Sequence, residues 1–162
     1  MSYAPSPAAL RKIEETITLY PEKSAALLPV LHVIQDESGF VSPGAESWVA
    51  AKLAIRPIRV REVLSFYTML RRAPAGRSTI QVCHNVSCTL AGAGDILRFI
   101  TEKLGIGPGE TTADGAVTLV TVECLGNCDH APCLQVDGVD HGPATRETVV
   151  AIIEELKAHG RE

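Results

Sequence analysis

Five cysteines are the residues in this chain best suited to chemistry, and four of them come in pairs. The first pair lies in Val82-Cys83-His84-Asn85-Val86-Ser87-Cys88. The second lies in Glu123-Cys124-Leu125-Gly126-Asn127-Cys128-Asp129-His130-Ala131-Pro132. The pattern is C-x4-C, 35 intervening residues, then C-x3-C. Thiolates are soft ligands, so four of them brought together suit zinc or an iron–sulfur centre. Zinc needs only a tetrahedron, and its structural knuckles run from C-x2-C to C-x4-C, so each half alone could hold zinc. A [2Fe–2S] cluster needs two thiolates per iron, on loops long enough to span two metals. The wider spacings favour the cluster and leave zinc and a redox dithiol open. A Rieske-type centre using His84 and His130 is a further alternative, but four thiols make that exchange unnecessary, and both histidines read as solvated loop residues. Cys133 reads as a small buried hydrophobe opening a strand, with a swapped ligand as the lesser reading.

For the two pairs to meet, the chain must bring them to one place. Thr79–Val82 alternates as a short strand, and Val117–Val122 is a β-branched run expected of a strand buried on both faces. Between them, Leu90, Ala93, Leu97, Ile100 and Leu104 form one helical stripe over residues 90–104. Thr89 is the expected N-cap and Gly105 the stop. Leu134–Val136 and a strand around Val139-Asp140-His141 follow, joined at the hairpin signal Asp137-Gly138. Thr145 caps a last helix bearing Val149, Ile152, Ile153 and Leu156, with Gly160 at its end. The order is β-α-β-β-β-α. Strand, helix, strand makes a parallel pair, so both cysteine pairs fall at the same sheet edge. Cys88 is expected just before the N-terminus of the 90–104 helix, where free N–H groups favour a thiolate. Gly126 is expected to let backbone amides approach the sulfurs.

The N-terminal half reads differently. Residues 1–7 suggest a disordered tail. Residues 8–70 read as four helices. Leu10, Ile13 and Ile17 mark the first. Leu27, Leu31 and Ile34 mark a second, with Ser24 as N-cap, a late start or kink at Pro29, and Gly39 as its stop. A third starts at Ser42-Pro43, with Trp48, Val49 and Leu53 buried. The fourth spans residues 59–69, with Val60, Val63, Leu64 and Tyr67 inward. Residues 71–78 suit a linker, and residues 79–162 form the second domain. The fold class is α+β, a helical bundle followed by the β-α-β-β-β-α domain.

At 162 residues the chain is long enough for one domain or two small ones. Net charge is −4, which argues against nucleic acid as a partner. Charge is uneven. Residues 52–77 hold seven Lys/Arg and a single acid, Glu62. That run reads as a solvated helix face and linker, or more sharply as a docking surface. No apolar run is long enough to span a bilayer, so direct membrane insertion is not expected. The N-terminus has no basic region followed by an apolar stretch, so no secretory signal is expected and a cytoplasmic location is. There, thiols stay reduced and paired cysteines favour metal or redox chemistry. Ala91-Gly92-Ala93-Gly94-Asp95-Ile96-Leu97 only begins a G-x-G-x-x-G turn, since Leu97 takes the third glycine position. No nucleotide site and no catalytic residues of its own are expected.

Together the two cysteine stretches resemble the family of small iron–sulfur subunits in the NADH dehydrogenase module of respiratory complex I, the NADH-quinone oxidoreductase. Leu27-Leu28-Pro29-Val30-Leu31-His32-Val33-Ile34-Gln35 and Phe66-Tyr67-Thr68-Met69 look like that family's helical signatures. The resemblance covers roughly residues 10–157. It implies a thioredoxin-like ferredoxin domain behind the helical bundle, with one [2Fe–2S] cluster on Cys83, Cys88, Cys124 and Cys128. It implies an electron-transfer subunit of an oxidoreductase that sits peripherally, through the complex, on the cytoplasmic side of the inner membrane. The partners implied are a flavoprotein subunit binding NADH and FMN and other peripheral-arm subunits. In the family the cluster exchanges one electron with that FMN, off the main path to quinone. Asn127 and Cys133 depart from the family pattern, which more often has Ala and an aliphatic residue there. Gamma subunits of NAD-dependent formate dehydrogenases and hydrogenases share the cysteine pattern and are the nearest alternative. A zinc-stabilised interaction module and a thiol–disulfide oxidoreductase are alternatives of other classes.

Overall fold

Ser6 accepts the N–H of Ala9 through its hydroxyl at 3.2 Å and starts helix α1, Pro7–Thr18, with Pro at the first position. The computed structural model describes residues 3–159. It divides into two compact units, Met1–Pro74 and Ala75–Glu162.

In the first unit α1 is followed by a 3-10 turn, Lys23–Ala26, and by helices α2 (Leu27–Ser38), α3 (Pro43–Leu53) and α4 (Pro57–Phe66). The second helix starts late: Ser24 falls in the 3-10 turn and Pro29 in the first turn of α2, where its missing N–H is one the helix leaves free. Gly39 ends α2 at φ 77°. Ser42 caps α3 by accepting the N–H of Ala45 at 3.2 Å, and Pro43 follows it. The core is aliphatic, with Ile13, Val30, Leu31, Ile34, Val49 and Val60 sealed from solvent. Burying each such side chain contributes about 1.5–3 kcal/mol.

Two expectations for this unit change. Residues 3–7 are not a loose tail, while residues 1–2 lie outside the described residues. The Tyr3 ring meets Trp48 edge-on at 6.0 Å, and the Tyr3 hydroxyl donates to Glu37 at 3.2 Å. The fourth helix starts at Pro57 and stops at Phe66, so Tyr67 is its half-exposed cap and not an inward residue. Four of the seven bases of residues 52–77, Lys52, Arg59, Arg61 and Arg72, have a carboxylate within 4.0 Å. Lys52 meets Glu14 of α1 at 2.8 Å, Arg59 meets Glu62 of α4 at 2.6 Å, and Arg61 meets Glu46 of α3 at 2.7 Å.

The second unit is a four-stranded sheet in the order β2-β1-β3-β4, with β1 Ser78–Cys83, β2 Val117–Val122, β3 Leu134–Val136 and β4 Val139–His141. β1 and β2 are parallel, with Cys83 opposite Val122, and β3 runs antiparallel to both β1 and β4. Helices α5 (Val86–Leu90) and α6 (Ala93–Leu104) join β1 to β2, and α7 (Arg146–His159) closes the unit. Thr145 and Thr148 begin α7 reciprocally: each backbone N–H donates to the other's hydroxyl, at 2.8 and 3.3 Å. The Gly160 stop lies outside the described residues. Ile80, Val82, Ile100, Leu119, Leu134, Val149 and Ile153 make one core from sheet and helices.

Here too the structure departs from expectation. Residues 86–104 are two helices, not one capped by Thr89. Asn85 starts α5, its side-chain oxygen accepting the Val86 N–H at 2.9 Å, and Gly92 at φ 94° separates α5 from α6. That break turns Leu90 out of the stripe and leaves it 86% exposed. β2 is an edge strand. Its first half is buried and its second half only partly covered as it runs out to the second cysteine loop.

Candidate metal centre

The parallel register of β1 and β2 sets the site. Cys83 is the last residue of β1, and Cys124 comes two residues after β2 ends. The His84 N–H donates to the Val122 carbonyl at 3.0 Å, so the ladder continues past the strand into the first loop. The Asn85 amide donates to Glu123 at 3.0 Å and ties the two loops together. Cys88 sits in the first turn of α5, inside the helix and not ahead of it. Cys128 opens the 3-10 turn Cys128–His130, and Cys133 lies just before β3, its carbonyl accepting the Cys83 N–H at 3.2 Å.

The five thiols fall into an inner and an outer set. Cys83, Cys88 and Cys133 are buried, and their sulfurs all lie within 4.8 Å of one another. The Cys88 and Cys133 sulfurs are 3.5 Å apart. Cys124 and Cys128 are exposed, with sulfurs 3.4 Å apart. The two sets adjoin: Leu125 and Ala131 of the second loop pack against the buried cysteines. The Gly126 N–H donates to the Cys124 sulfur at 3.3 Å, from a backbone at φ 84° that favours glycine.

Electrostatics separate the thiols. Burial pushes the Cys83 thiol up, but the N–H groups of Asn85 and Leu125 and the neighbouring thiols outweigh it, so it falls below the ordinary value. The Cys124 thiol pushes Cys128 up, against the opposing Ser87 hydroxyl. Burial, then the Cys88 sulfur, pushes Cys133 up to about 12. The two shifts run in opposite directions, towards the thiolate for Cys83 and away from it for Cys133.

A family profile described as a thioredoxin-like [2Fe-2S] ferredoxin matches residues 13–157. The chain belongs to that family. An NADH-quinone oxidoreductase subunit of Rhizobium meliloti (strain 1021) is 39% identical over 150 residues, covering 93% of this chain and 89% of that protein. An NADH-quinone oxidoreductase subunit of Mycobacterium tuberculosis (strain ATCC 25618 / H37Rv) is 36% identical over 159 residues, covering 97% of this chain but 63% of that protein. Among solved structures, an air-oxidised NAD+-reducing [NiFe]-hydrogenase chain superposes with a TM-score of 0.70 at 23% identity. It covers 82% of this chain and 23% of its own length, so that likeness is one of fold.

The donor set of this thioredoxin-like ferredoxin fits an iron–sulfur cluster. Five free cysteines lie where β1, β2 and β3 end or begin, three sulfurs within 4.8 Å of one another and two 3.4 Å apart, the Gly126 N–H points at one of the exposed sulfurs, and among the described residues no buried side-chain nitrogen or oxygen lacks a partner. The histidines stay outside the thiol set. His84 lies beside Glu123 at 3.5 Å and His130 beside Asp129 at 3.2 Å, both with half-exposed side chains. One contributor escaped sequence reading: Asn85 ties the two loops to each other through Glu123. An Asx cap directly before Val86 was the available signal for a short helix there.

Proposed function

We infer that this chain is the electron-transfer subunit of an NADH:quinone oxidoreductase and that Cys83, Cys88, Cys124 and Cys128 hold its [2Fe–2S] cluster. What supports the reading is that the buried pair Cys83/Cys88 and the exposed pair Cys124/Cys128 leave two parallel strands at the same edge, with Leu125 of the second loop packed against the buried cysteines. A bound [2Fe–2S] cluster supplies one-electron exchange at a potential set by its surroundings. The protein's own share is positional. Cys83 and Cys88 anchor one side in the core. Cys124 and Cys128 bring the other side to the surface, where an electron partner can approach. The N–H groups of Leu125 and Gly126 offset negative charge on the sulfurs.

The partner in this reading is a flavoprotein subunit carrying FMN and the NADH site, within the peripheral arm of the complex on the cytoplasmic side of the membrane. The names of the Rhizobium and Mycobacterium relatives support it. Among the described residues no helix is long and apolar enough to cross a membrane. Affinity purification of the chain from its own cells tests the assignment. The expected result is co-purification of an FMN-containing subunit, with the chain's visible spectrum bleaching when NADH is added. Recovery of the chain alone, or with a partner lacking flavin, contradicts it.

A further inference from the structure

Cys133 is the thiol left over from the four proposed ligands, yet it is as buried as Cys83 and Cys88 and its sulfur lies within 4.8 Å of both of theirs. Its sulfur lies 3.5 Å from that of Cys88, within range of an S–H···S hydrogen bond. Its position is fixed from both sides. The Cys133 carbonyl is held by the Cys83 N–H, and the Pro132 carbonyl by the Ala144 N–H at 2.6 Å. The Cys124 sulfur receives the Gly126 N–H, and the Cys88 sulfur meets this side chain. A thiol carries one S–H donor, and in this buried position the nearest sulfur to receive it is that of Cys88.

We propose that Cys133 is not a ligand but a buried S–H donor to the Cys88 sulfur that raises the reduction potential of the centre. The inference rests on the cluster assignment above. Reduction adds negative charge that is shared by the ligand sulfurs, and a donor aimed at one of them stabilises the reduced form more than the oxidised form. No bond is made or broken, and the proton stays on Cys133.

The test compares wild type, Cys133→Ser and Cys133→Val in the full chain, with iron content, reduction potential and the infrared S–H stretch read on each. Valine keeps the volume and removes the donor, whereas serine keeps a donor. All three proteins are expected to hold the same iron. In Cys133→Val the equilibrium constant for reduction is expected to fall about threefold to tenfold, about 28 to 59 mV for one electron. Cys133→Ser is expected to stay near wild type. Wild type is expected to show a buried S–H band that shifts on reduction and is absent from both variants. A merely structural role would leave the potentials of the valine and serine variants alike. Equal potentials in all three proteins overturn the inference while leaving the cluster assignment standing. Loss of iron in Cys133→Val makes Cys133 a ligand and also overturns it. A wild-type chain without iron is a different result, which removes the cluster assignment itself.

Discussion

Gly142 lies so close to His130 that a Cβ on it would come within 2.5 Å of the His130 carbonyl oxygen and 3.3 Å of the Cys133 Cβ. The segment after β4 is therefore packed directly under the second cysteine loop, and only a glycine fits there. A clash with a carbonyl oxygen cannot be relieved by a rotamer change, so backbone must move. Gly142→Ala is expected to destabilise the second unit by about 1–3 kcal/mol and to lower iron retention. Denaturant titration and metal analysis of the purified variant check both effects. An unchanged midpoint with full iron would mean that the loop is not held from this side.

In the helical unit the carboxylate of Glu46 is buried, 5% exposed, and is matched by Arg61 at 2.7 Å with Arg72 at 3.9 Å. Removing Arg61 leaves that carboxylate short of its main donor. Arg61→Ala is expected to cost about 1–3 kcal/mol. Arg59, whose pair with Glu62 is open to solvent on both sides, is expected to cost under about 1 kcal/mol as Arg59→Ala. Chemical denaturation of the two variants side by side, followed by circular dichroism, gives the comparison. Equal losses would show that burial of Glu46 does not decide the outcome.

Glu37 fastens the start of the chain, accepting the Ser6 N–H at 2.9 Å and the Tyr3 hydroxyl at 3.2 Å. Its hydrogen bonds with Ser6 hold the carboxyl below its usual 4.5. A carboxyl with a depressed folded-state value stabilises the fold above the unfolded value. That contribution fades as pH falls through the folded one. Wild type is accordingly expected to lose stability on acidification below about pH 4.5 more steeply than Glu37→Gln, while the variant is the weaker of the two at neutral pH. Thermal denaturation across that range, with both proteins in the same buffers, checks the sign. Parallel acid limbs would remove Glu37 from the account.

Much of this was legible in the sequence because it rests on local signals. Ser42-Pro43 and Gly39 mark helix ends through backbone chemistry that acts within a few residues, and the structure places them there. The strand order was readable from apolar runs and turn residues, and it implied that both cysteine pairs leave the sheet at the same edge, as the parallel β1 and β2 make them do. What escaped depends on small breaks or on distant neighbours. Gly92 splits one apparent stripe into two helices, which moved Cys88 inside a helix and Leu90 into solvent. The basic run looked free because its acids, Glu14 and Glu46, lie on other helices. Cys133 read correctly as a small buried residue, but its contact with Cys88 spans 45 positions of sequence and only the fold reveals it.

The central claim is that four particular thiols hold one [2Fe–2S] cluster, and iron and sulfide analysis with EPR on the anaerobically purified chain tests it most directly. Wild type is expected to be brown, with two irons and two sulfides per chain and a one-electron EPR signal on reduction. Cys83→Ser, Cys88→Ser, Cys124→Ser and Cys128→Ser are each expected to weaken or lose that signal, and Cys133→Ser to keep it. A colourless wild-type protein carrying stoichiometric zinc, or iron loss in Cys133→Ser equal to that in Cys124→Ser, would contradict the account.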